Sequence, residues 1–461
     1  MGRINRRFQS SSRRKKITGS SGIAAVQTKT PVVTALRCAV CGTQVAISEV
    51  FSWRCPNSSE TDRKHVLEIE NNIAPLRSNG DSNPFVAFQQ YLAWDAFGAT
   101  LGLDFEARTK IIRDLDDAVA KVAGTGFRTT PFLRHDALSA ELGFSAAGGV
   151  WIKDETHNVA GSQKARHLFS ELLHLISVEL VGRAPWQDQS KRPDLAIASC
   201  GNAAIAASTL ARAVNWKIKV FVPESSDEAT LKILDSLAAN VVKCARLATD
   251  KAGDPCVFRF REAIAEGAIP FGVQGPENAW CLDGGRTIGW EMAVAAEELS
   301  GALFSRMFVQ AGGGAFVTCA ANGFFAGATK PKIHAVQTEG CAPLARAFHA
   351  AQSSGGARNA GARWEQCMWP WETTPVSLAD GILDDETYDW VGACSAMADS
   401  NGYPVVATEQ QIRESFALAH RVTNIDVSPT GAAGLAGLLA MRHEIADDER
   451  VIIVFSGVRR Q

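Results

Sequence analysis

The sequence contains no apolar segment that is long and uninterrupted enough to cross a membrane. Its longest stretch without a charged residue, Met307 to Thr329, includes several glycines as well as Gln310 and Asn322. A transmembrane helix needs about 20 predominantly apolar residues, so this stretch is a poor membrane span. No secretory signal peptide is visible either. We therefore expect no membrane partner.

Acidic residues are missing from the first 48 positions, whereas residues 1–37 contain nine lysines or arginines. Because the whole chain has a net charge of −2, the remainder is acidic, at about −11. An acidic body gives no general electrostatic case for nucleic-acid binding. Residues 1–30 are predicted to form a disordered basic tail, although their composition also allows an organelle-targeting peptide.

A repeating cysteine spacing is also absent. The eleven cysteines are an odd number, and most of them are scattered. This pattern argues against a disulfide framework and favours a reducing compartment, so we expect a cytoplasmic location. The 461 residues, 46% of them hydrophobic, are sufficient for two or three domains with substantial cores.

Three cysteines near the N-terminus are the exception to this scatter. Cys38 and Cys41 are separated by two residues, Cys55 follows, and His65 stands ten residues later. Such a knuckle can hold a tetrahedral metal, and His65 could replace the missing fourth cysteine. Residues 31–75 therefore read as a zinc-ribbon-like segment. A degenerate ribbon without metal and a chance spacing remain alternatives.

Beyond this segment, the chain changes from helical to alternating patterns. Residues 76–125 are predicted to be mainly helical. Short apolar runs followed by glycine-containing turns and alanine-rich stretches then alternate, which predicts parallel sheets wrapped by helices. The predicted strands include Val150-Trp151-Ile152, Leu195 to Ala198, Ile218 to Val222, Asn240 to Val242, Phe308-Val309, His334 to Val336 and Val451 to Phe455.

Lys164 stands where the first of these strands gives way to a helix. A lysine amine forms Schiff bases with carbonyl compounds, and once desolvated it can act as a base near neutral pH. Taken alone, Lys164 would be a surface lysine, because lysine is seldom buried. Lys153 and Arg166 are the extra cations nearby, and Arg166 has a simple interpretation as a helix-surface cation.

Three other short motifs follow predicted strands. Gly312-Gly313-Gly314, followed by Ala315, could present backbone amides to a phosphate, or could be a plain turn. Ser199-Cys200-Gly201-Asn202 could bind an oxyanion or carboxylate, or could be a turn and helix cap. Ser456 could contact a ligand or merely cap a strand. Cys200 is more simply a small packing residue than a nucleophile, because no histidine is adjacent to it in the sequence.

Together these motifs resemble those of pyridoxal-phosphate enzymes of the tryptophan synthase β family. That family also includes threonine synthase, serine/threonine dehydratase and cysteine synthase. The resemblance covers residues 125–461 and includes Thr130-Pro131-Phe132-Leu133. It implies two open, mostly parallel sheets wrapped by helices with the cofactor cleft between them, within residues 76–461, and a smaller subdomain at roughly 160–275. A homodimer is also expected.

The resemblance also implies roles for individual residues. Lys164 would hold pyridoxal 5'-phosphate as an aldimine and then act as the catalytic base. Asn202 would contact the cofactor's phenolic oxygen, and Ser456 its ring nitrogen. The remaining implied contacts are Gly312, Gly313, Gly314 and Ala315 for the phosphate, and Ser162, Ser199, Cys200, Gly201 and Asn202 for the amino acid substrate.

These expectations lead to a pyridoxal-phosphate-dependent lyase of the serine/threonine ammonia-lyase type. The ending Ser456-Gly457 resembles the dehydratases, in which serine contacts the ring nitrogen. A threonine-synthase-like or cysteine-synthase-like replacement enzyme is the alternative, since the N-terminal cysteines resemble the ribbon of some threonine synthases. A non-catalytic binding scaffold is the more distant alternative.

Overall fold

The computed structural model describes residues 32–73, 75–250, 253–299 and 303–460. The predicted basic tail, residues 1–30, lies outside these ranges. From Val32 onward the chain forms one compact unit.

The strands lie in three sheets and alternate with helices along most of the chain. The strands are β1 (Val33–Cys38), β2 (Gln44–Ala46), β3 (Leu67–Asn71), β4 (Phe132–Arg134), β5 (Gly149–Asp154), β6 (Leu195–Ala198), β7 (Ile218–Pro223), β8 (Asn240–Cys244), β9 (Ile269–Pro270), β10 (Arg306–Gln310), β11 (Lys332–Thr338), β12 (Val405–Ala407) and β13 (Arg450–Phe455). The helices are α1 (Pro84–Ala87), α2 (Ala93–Thr100), α3 (Phe105–Ala123), α4 (Asp136–Glu141), α5 (Lys164–Leu180), α6 (Asn202–Ala213), α7 (Glu228–Ser236), α8 (Pro255–Ala265), α9 (Cys281–Glu298), α10 (Ala315–Phe324), α11 (Pro343–Ser353), α12 (Trp364–Cys367), α13 (Trp390–Asp399), α14 (Glu409–Thr423) and α15 (Pro429–Met441).

The larger sheet has six strands in the order β12-β11-β10-β13-β5-β4. All neighbouring pairs are parallel except β4 with β5. The second sheet, β8-β7-β6-β9, is entirely parallel. The predicted fold class is therefore confirmed, as is the helical interpretation of residues 76–125.

Strand β13 shows why these sheets form from continuous apolar runs. Its residues Val451, Ile453 and Phe455 pack into one core cluster, whereas Ile452 and Val454 pack into another. Side chains alternate between the faces of a strand, and helices cover both faces of a parallel sheet. A run that is apolar at every position is the sequence signature of that arrangement.

Residues near the N-terminus form a small antiparallel sheet, β2-β1-β3. It packs on the rest of the unit through a small core cluster that includes Leu36, Leu67 and Ala279. The backbone amide of Ala279 also donates to the carbonyl of Trp53 over 2.9 Å. Among the described residues, no helix is both long and apolar enough to cross a membrane.

Candidate functional site

Three of the predicted motifs lie at one edge of the larger sheet. Strands β10, β13 and β5 are neighbours and run parallel. Gly312 follows β10, Ser456 follows β13, and Lys164 follows β5 after a short turn. The carboxyl ends of parallel strands meet at one edge, which is where open α/β sheets bind ligands.

The turn before Lys164 has an unusual backbone. Ala160 and Gly161 have φ angles of 54° and 66°, in the left-handed region that a non-glycine residue such as Ala160 seldom adopts. The turn is held in place because the amide of Gln163 donates to the carbonyl of Ser456 over 3.0 Å. Lys164 is then the first residue of α5. The turn before Lys164 and helix α5 after it therefore both fix the position of this residue.

Burial lowers the pKa of the Lys164 amine, and the nearby charges of Asp384 and Asp389 only partly oppose this effect. Burial likewise raises the pKa of Asp384 to about 6 and that of Asp389 to about 7. A lowered amine pKa increases the neutral fraction, which is the nucleophilic and basic form.

The triple glycine forms a loop beside an acidic side chain. The backbone amide of Gly313 lies near the carboxylate of Asp384 and partly offsets the rise in its pKa that burial causes. A Cβ on Gly312 would collide with that carboxylate, and Gly314 has a φ of 92°. Ala315 begins helix α10 directly behind the loop. The loop therefore presents amide donors at a helix start, where an anionic oxygen is favoured.

The predicted motif Ser199-Cys200-Gly201-Asn202, which we call the asparagine loop, connects β6 of the second sheet to α6. Asn202 is the first residue of α6, and the amide of Gly201 lies 3.4 Å from the hydroxyl of Ser199. A Cβ on Gly457, next to Ser456, would come within 2.8 Å of the Asn202 amide nitrogen. Asn202, which follows β6 of the second sheet, is thus close to Gly457, which follows β13 of the larger sheet.

Cys200 lies in this loop with an exposed surface. Although the residue is exposed, neighbouring protein atoms partly desolvate its thiol, and this effect, with the negative charges of Asp380 and Asp384, raises the pKa of the thiol to about 11. The thiol is therefore protonated near neutral pH, which does not suit a nucleophile.

Ser162, two residues before Lys164, pairs with Gly457 in an isolated antiparallel bridge. Its hydroxyl is buried and has no hydrogen-bond partner among the described residues. A buried polar group without a partner is costly, so this hydroxyl is available for a ligand.

The hydroxyl of Ser456 is held by Gln310, the last residue of β10. The Gln310 Nε2 atom donates to the Ser456 Oγ atom over 2.6 Å and to the carbonyl of Gly431 over 2.8 Å. It also lies within 3.3 Å of the carbonyls of Thr430 and Val454. Carbonyls only accept, so the amide nitrogen of Gln310 must point this way and Ser456 must accept.

The interpretation of Arg166 as a helix-surface cation is wrong. Its side chain is fully buried, and its guanidinium donates to Glu155 over 2.9 Å and to Glu291 over 2.5 Å. Lys153 also pairs with Glu291 and donates to the carbonyl of Thr130 over 2.8 Å. Lys153 and Arg166 are thus neutralised by two buried carboxylates in a structural network.

The predicted metal-binding residues also come together. One ligand atom from each of Cys38, Cys41, Cys55 and His65 lies within 4.8 Å of the other three. Cys38 Sγ is 3.4 Å from His65 Nδ1, and Cys41 Sγ is 3.6 Å from Cys55 Sγ. Zinc–sulfur bonds of about 2.3 Å in a tetrahedron give sulfur–sulfur distances of about 3.8 Å. The cluster therefore has the dimensions of a four-coordinate zinc site.

Sequence interpretation missed three residues of the candidate site. Gln310 is noted in the sequence only as a polar residue of the stretch Met307 to Thr329, and neither Asp384 nor Arg460 is singled out. Asp384 belongs to the acidic run 380–389, which was a visible signal. Arg460 carried no signal, because its role depends on where the C-terminal residues pack.

Comparison with known proteins accounts for this arrangement. The model of the family described as "Pyridoxal-phosphate dependent enzyme" matches residues 123–457. Threonine synthase from Methanocaldococcus jannaschii is 23% identical over 338 residues, which cover 71% of this chain and 74% of that protein.

Solved structures show the same fold at lower identity. Threonine deaminase isoform 2 from Solanum lycopersicum, in its processed form, superposes with a TM-score of 0.56 at 18% identity, covering 77% of this chain and 90% of that one. Diaminopropionate ammonia lyase from Escherichia coli superposes with a TM-score of 0.58 at 14% identity, covering 86% of this chain and 96% of that one. The resemblance inferred from the motifs is therefore confirmed, and this chain belongs to the family of pyridoxal-phosphate dependent enzymes.

Proposed function

We propose that this protein is a lyase that eliminates the β-substituent of a small hydroxy-amino acid and releases ammonia and a 2-oxo acid. The observation that carries the proposal is the hydrogen bond from Gln310 to Ser456. Because Ser456 must accept from Gln310, its own proton is left to donate to a ligand atom. An unprotonated ring nitrogen is such an acceptor.

The residues present fit pyridoxal 5'-phosphate. The amides of Gly312 to Gly314 and the start of α10 suit its phosphate, because they present backbone donors at a helix N-terminus. Lys164 would hold the cofactor, Asn202 would contact its phenolic oxygen, and Ser456 its ring nitrogen. When bound, the cofactor supplies an electron sink for charge that develops at the substrate α-carbon.

A serine at the ring nitrogen favours elimination. A neutral hydroxyl does not stabilise a protonated ring nitrogen as a carboxylate would, so charge is drawn less fully into the ring. Prompt loss of a β leaving group is then the favoured outcome. Threonine deaminase and diaminopropionate ammonia lyase, to which the fold is similar, are ammonia-releasing enzymes by name.

Lys164 is the residue that we propose to remove the substrate α-proton. Its amine has a lowered pKa because of burial, so it is neutral at a lower pH than an exposed lysine. A neutral amine at this position can accept a proton and return it later, which is the behaviour of a general base.

The substrate carboxylate would lie against the asparagine loop. The backbone amides of Gly201 and Asn202 stand at the start of α6, and Ser199 belongs to the same loop. Ser162 and Asn202 both lie next to Gly457. The Ser162 hydroxyl has no partner among the described residues. These groups would orient the α-carbon toward Lys164.

The acidic residues around the site support elimination over a threonine-synthase-like replacement of a phosphorylated substrate. The negative charges of Asp384 and Asp389 raise the pKa of the Lys164 amine against the effect of burial. Those of Asp380 and Asp384 raise the pKa of the Cys200 thiol. Negative charges here disfavour a phosphorylated substrate, because like charges repel and desolvation strengthens the repulsion. This supports elimination from a neutral side chain. A threonine-synthase-like or cysteine-synthase-like replacement is the second candidate, favoured by the sequence similarity to a threonine synthase.

A direct assay separates the two candidates. The cofactor-loaded protein is incubated with L-serine and with L-threonine, and ammonia and 2-oxo acid are measured. The lyase proposal predicts equal amounts of both products from at least one substrate, and none from Lys164→Ala. Turnover that appears only after phosphohomoserine or a thiol is added would instead establish the replacement reaction.

We also propose that Cys38, Cys41, Cys55 and His65 hold a structural zinc ion. The Asp62 carboxylate lies 3.4 Å from the other ring nitrogen of His65, where it can orient the imidazole. Elemental analysis should find about one zinc per chain in wild type and much less in Cys38→Ser. Cys244→Ser, outside the cluster, is the matched control and should retain the metal. Equal zinc in all three proteins would refute the site.

A further inference from the structure

The last residues of the described chain close over the turn that carries Lys164. The amide of Val458 donates to the carbonyl of Gly161 over 2.8 Å, and Gly457 pairs with Ser162. These contacts bring Arg460, the last described residue, to the junction between the Lys164 turn and helix α6. We call residues 456–460 the C-terminal strap.

The guanidinium of Arg460 binds two oxygen atoms at this junction. Its Nη2 atom donates to the Oδ1 atom of Asn202 over 2.9 Å and to the carbonyl of Ala160 over 2.5 Å, and its Nε atom lies 3.3 Å from the same Oδ1 atom. Among residues 32–460 as described, no carboxylate lies within ion-pair distance of Arg460. A partly buried cation without an anionic partner is costly, which argues for a specific role.

These contacts determine which way the Asn202 amide points. A guanidinium carries only donors, so the atom facing Arg460 must be the amide oxygen of Asn202. The Nδ2 atom is therefore turned the other way, toward Gly457. It makes no hydrogen bond to the protein in the described part of the chain. With Arg460 replaced by a residue that both accepts and donates, either orientation of the amide would be possible.

We propose that Arg460 is a positioning residue that orients the amide of Asn202, so that its Nδ2 atom donates to the phenolic oxygen of the cofactor. The inference rests on the proposed function, which assigns that contact to Asn202. The positive charge of Arg460 also polarises the amide and strengthens the donation from Nδ2. The ionised form of the phenolic oxygen is thereby favoured.

The test uses the visible absorption and the affinity of the bound cofactor rather than activity. Arg460→Gln removes the positive charge and no longer fixes the orientation of the Asn202 amide. We expect it to weaken the affinity for the cofactor about tenfold, which is the effect of losing one charge-assisted hydrogen bond. It should also move absorbance from the visible band to the near-ultraviolet band, because the phenolic oxygen is less readily ionised. Arg460→Lys, which keeps a cationic donor, should restore most of both properties.

Arg459→Gln is the matched control. Arg459 is the neighbouring residue, but its side chain is 43% exposed and pairs with Asp426 over 3.1 Å. It should leave the spectrum and the affinity unchanged. The proposal is overturned if Arg460→Gln folds and behaves as Arg459→Gln does, or if Arg460→Lys is as impaired as Arg460→Gln.

Asn202→Asp provides a second test of the proposal if Arg460→Gln does not fold. Asn202→Asp keeps the shape of the side chain and gives Arg460 a carboxylate partner, so the strap remains held, but it cannot donate from the Nδ2 position. It is expected to lose the visible band, whereas an unchanged spectrum would refute the proposal. If wild type itself takes up no cofactor, the proposed function fails first, and the measurement distinguishes that outcome from a failure of the Arg460 assignment.

Discussion

Single side chains in the candidate site are held by neighbours that allow only one direction of hydrogen bonding. Gln310 must donate to Ser456, and Arg460 must donate to Asn202. In each case the partner is left with a donor to offer to a ligand. The motifs identify Ser456 and Asn202, but the residues that fix their direction lie far away in the sequence.

Asp384 provides the first prediction. Its carboxylate lies beside the glycine loop, where a Cβ on Gly312 would collide with it, so a bound phosphate would lie close to this negative charge. Asp384→Asn removes a negative charge beside the loop. We expect it to bind pyridoxal phosphate several-fold more tightly, by about 1 kcal/mol. Equilibrium titration of the apoprotein measures this affinity, with Asp399→Asn at an exposed position as the control. Weaker binding in Asp384→Asn would show that the carboxylate supports the cofactor.

At the level of secondary-structure elements, sequence interpretation succeeds where an element is defined by its own residues. The buried strands β5, β10 and β13 each contain a continuous apolar run of three or more residues, and both faces of each strand are covered. The two-residue strand β9 was not predicted, because only its pairing with β6 defines it. The burial of Arg166 was also missed, since its carboxylate partners lie just after β5 and on α9.

This network joins elements α5 and α9 to β5 and provides the second prediction. Glu291 neutralises Lys153 and Arg166, and Glu291→Gln would leave excess positive charge in the core. We expect a loss of about 3–5 kcal/mol in the free energy of unfolding, measured by denaturant titration. Glu297→Gln, at an exposed pair with Arg77, should change it by less than about 0.5 kcal/mol. Similar losses in both variants would contradict the network's structural role.

The Glu291 carboxylate also makes the free energy of unfolding depend on pH, in a direction that its pKa defines. Despite burial, the charges of Arg166 and Lys153 hold the pKa of Glu291 below its usual value. The stabilisation is therefore fully present above the unfolded pKa of about 4.3 and is lost as pH falls through the lower folded pKa. Glu291→Gln should lack this part of the acid transition. An identical pH dependence in wild type and variant would contradict the assignment.

For the whole molecule, the fold places the ends of two sheets against each other. Lys164, Gly312 and Ser456 follow strands of the larger sheet, whereas Asn202 follows β6 of the second one. Sequence motifs predict this convergence through family resemblance, because a ligand must touch all four. They do not predict the contacts of the C-terminal strap. These contacts form between segments some 300 residues apart in the sequence, and only the folded structure brings such segments together.

Lys164, rather than another lysine, is the residue that we expect to carry the cofactor. The most direct measurement is to load the protein with pyridoxal phosphate, reduce it with borohydride so that the cofactor is fixed covalently, and map the modified peptide by mass spectrometry. We expect one added pyridoxyl group per chain, on Lys164. Lys153 serves as an internal comparison, because it is fully buried but paired with Glu291. Modification of Lys153 or of surface lysines, with Lys164 unmodified, would show that Lys164 does not carry the cofactor.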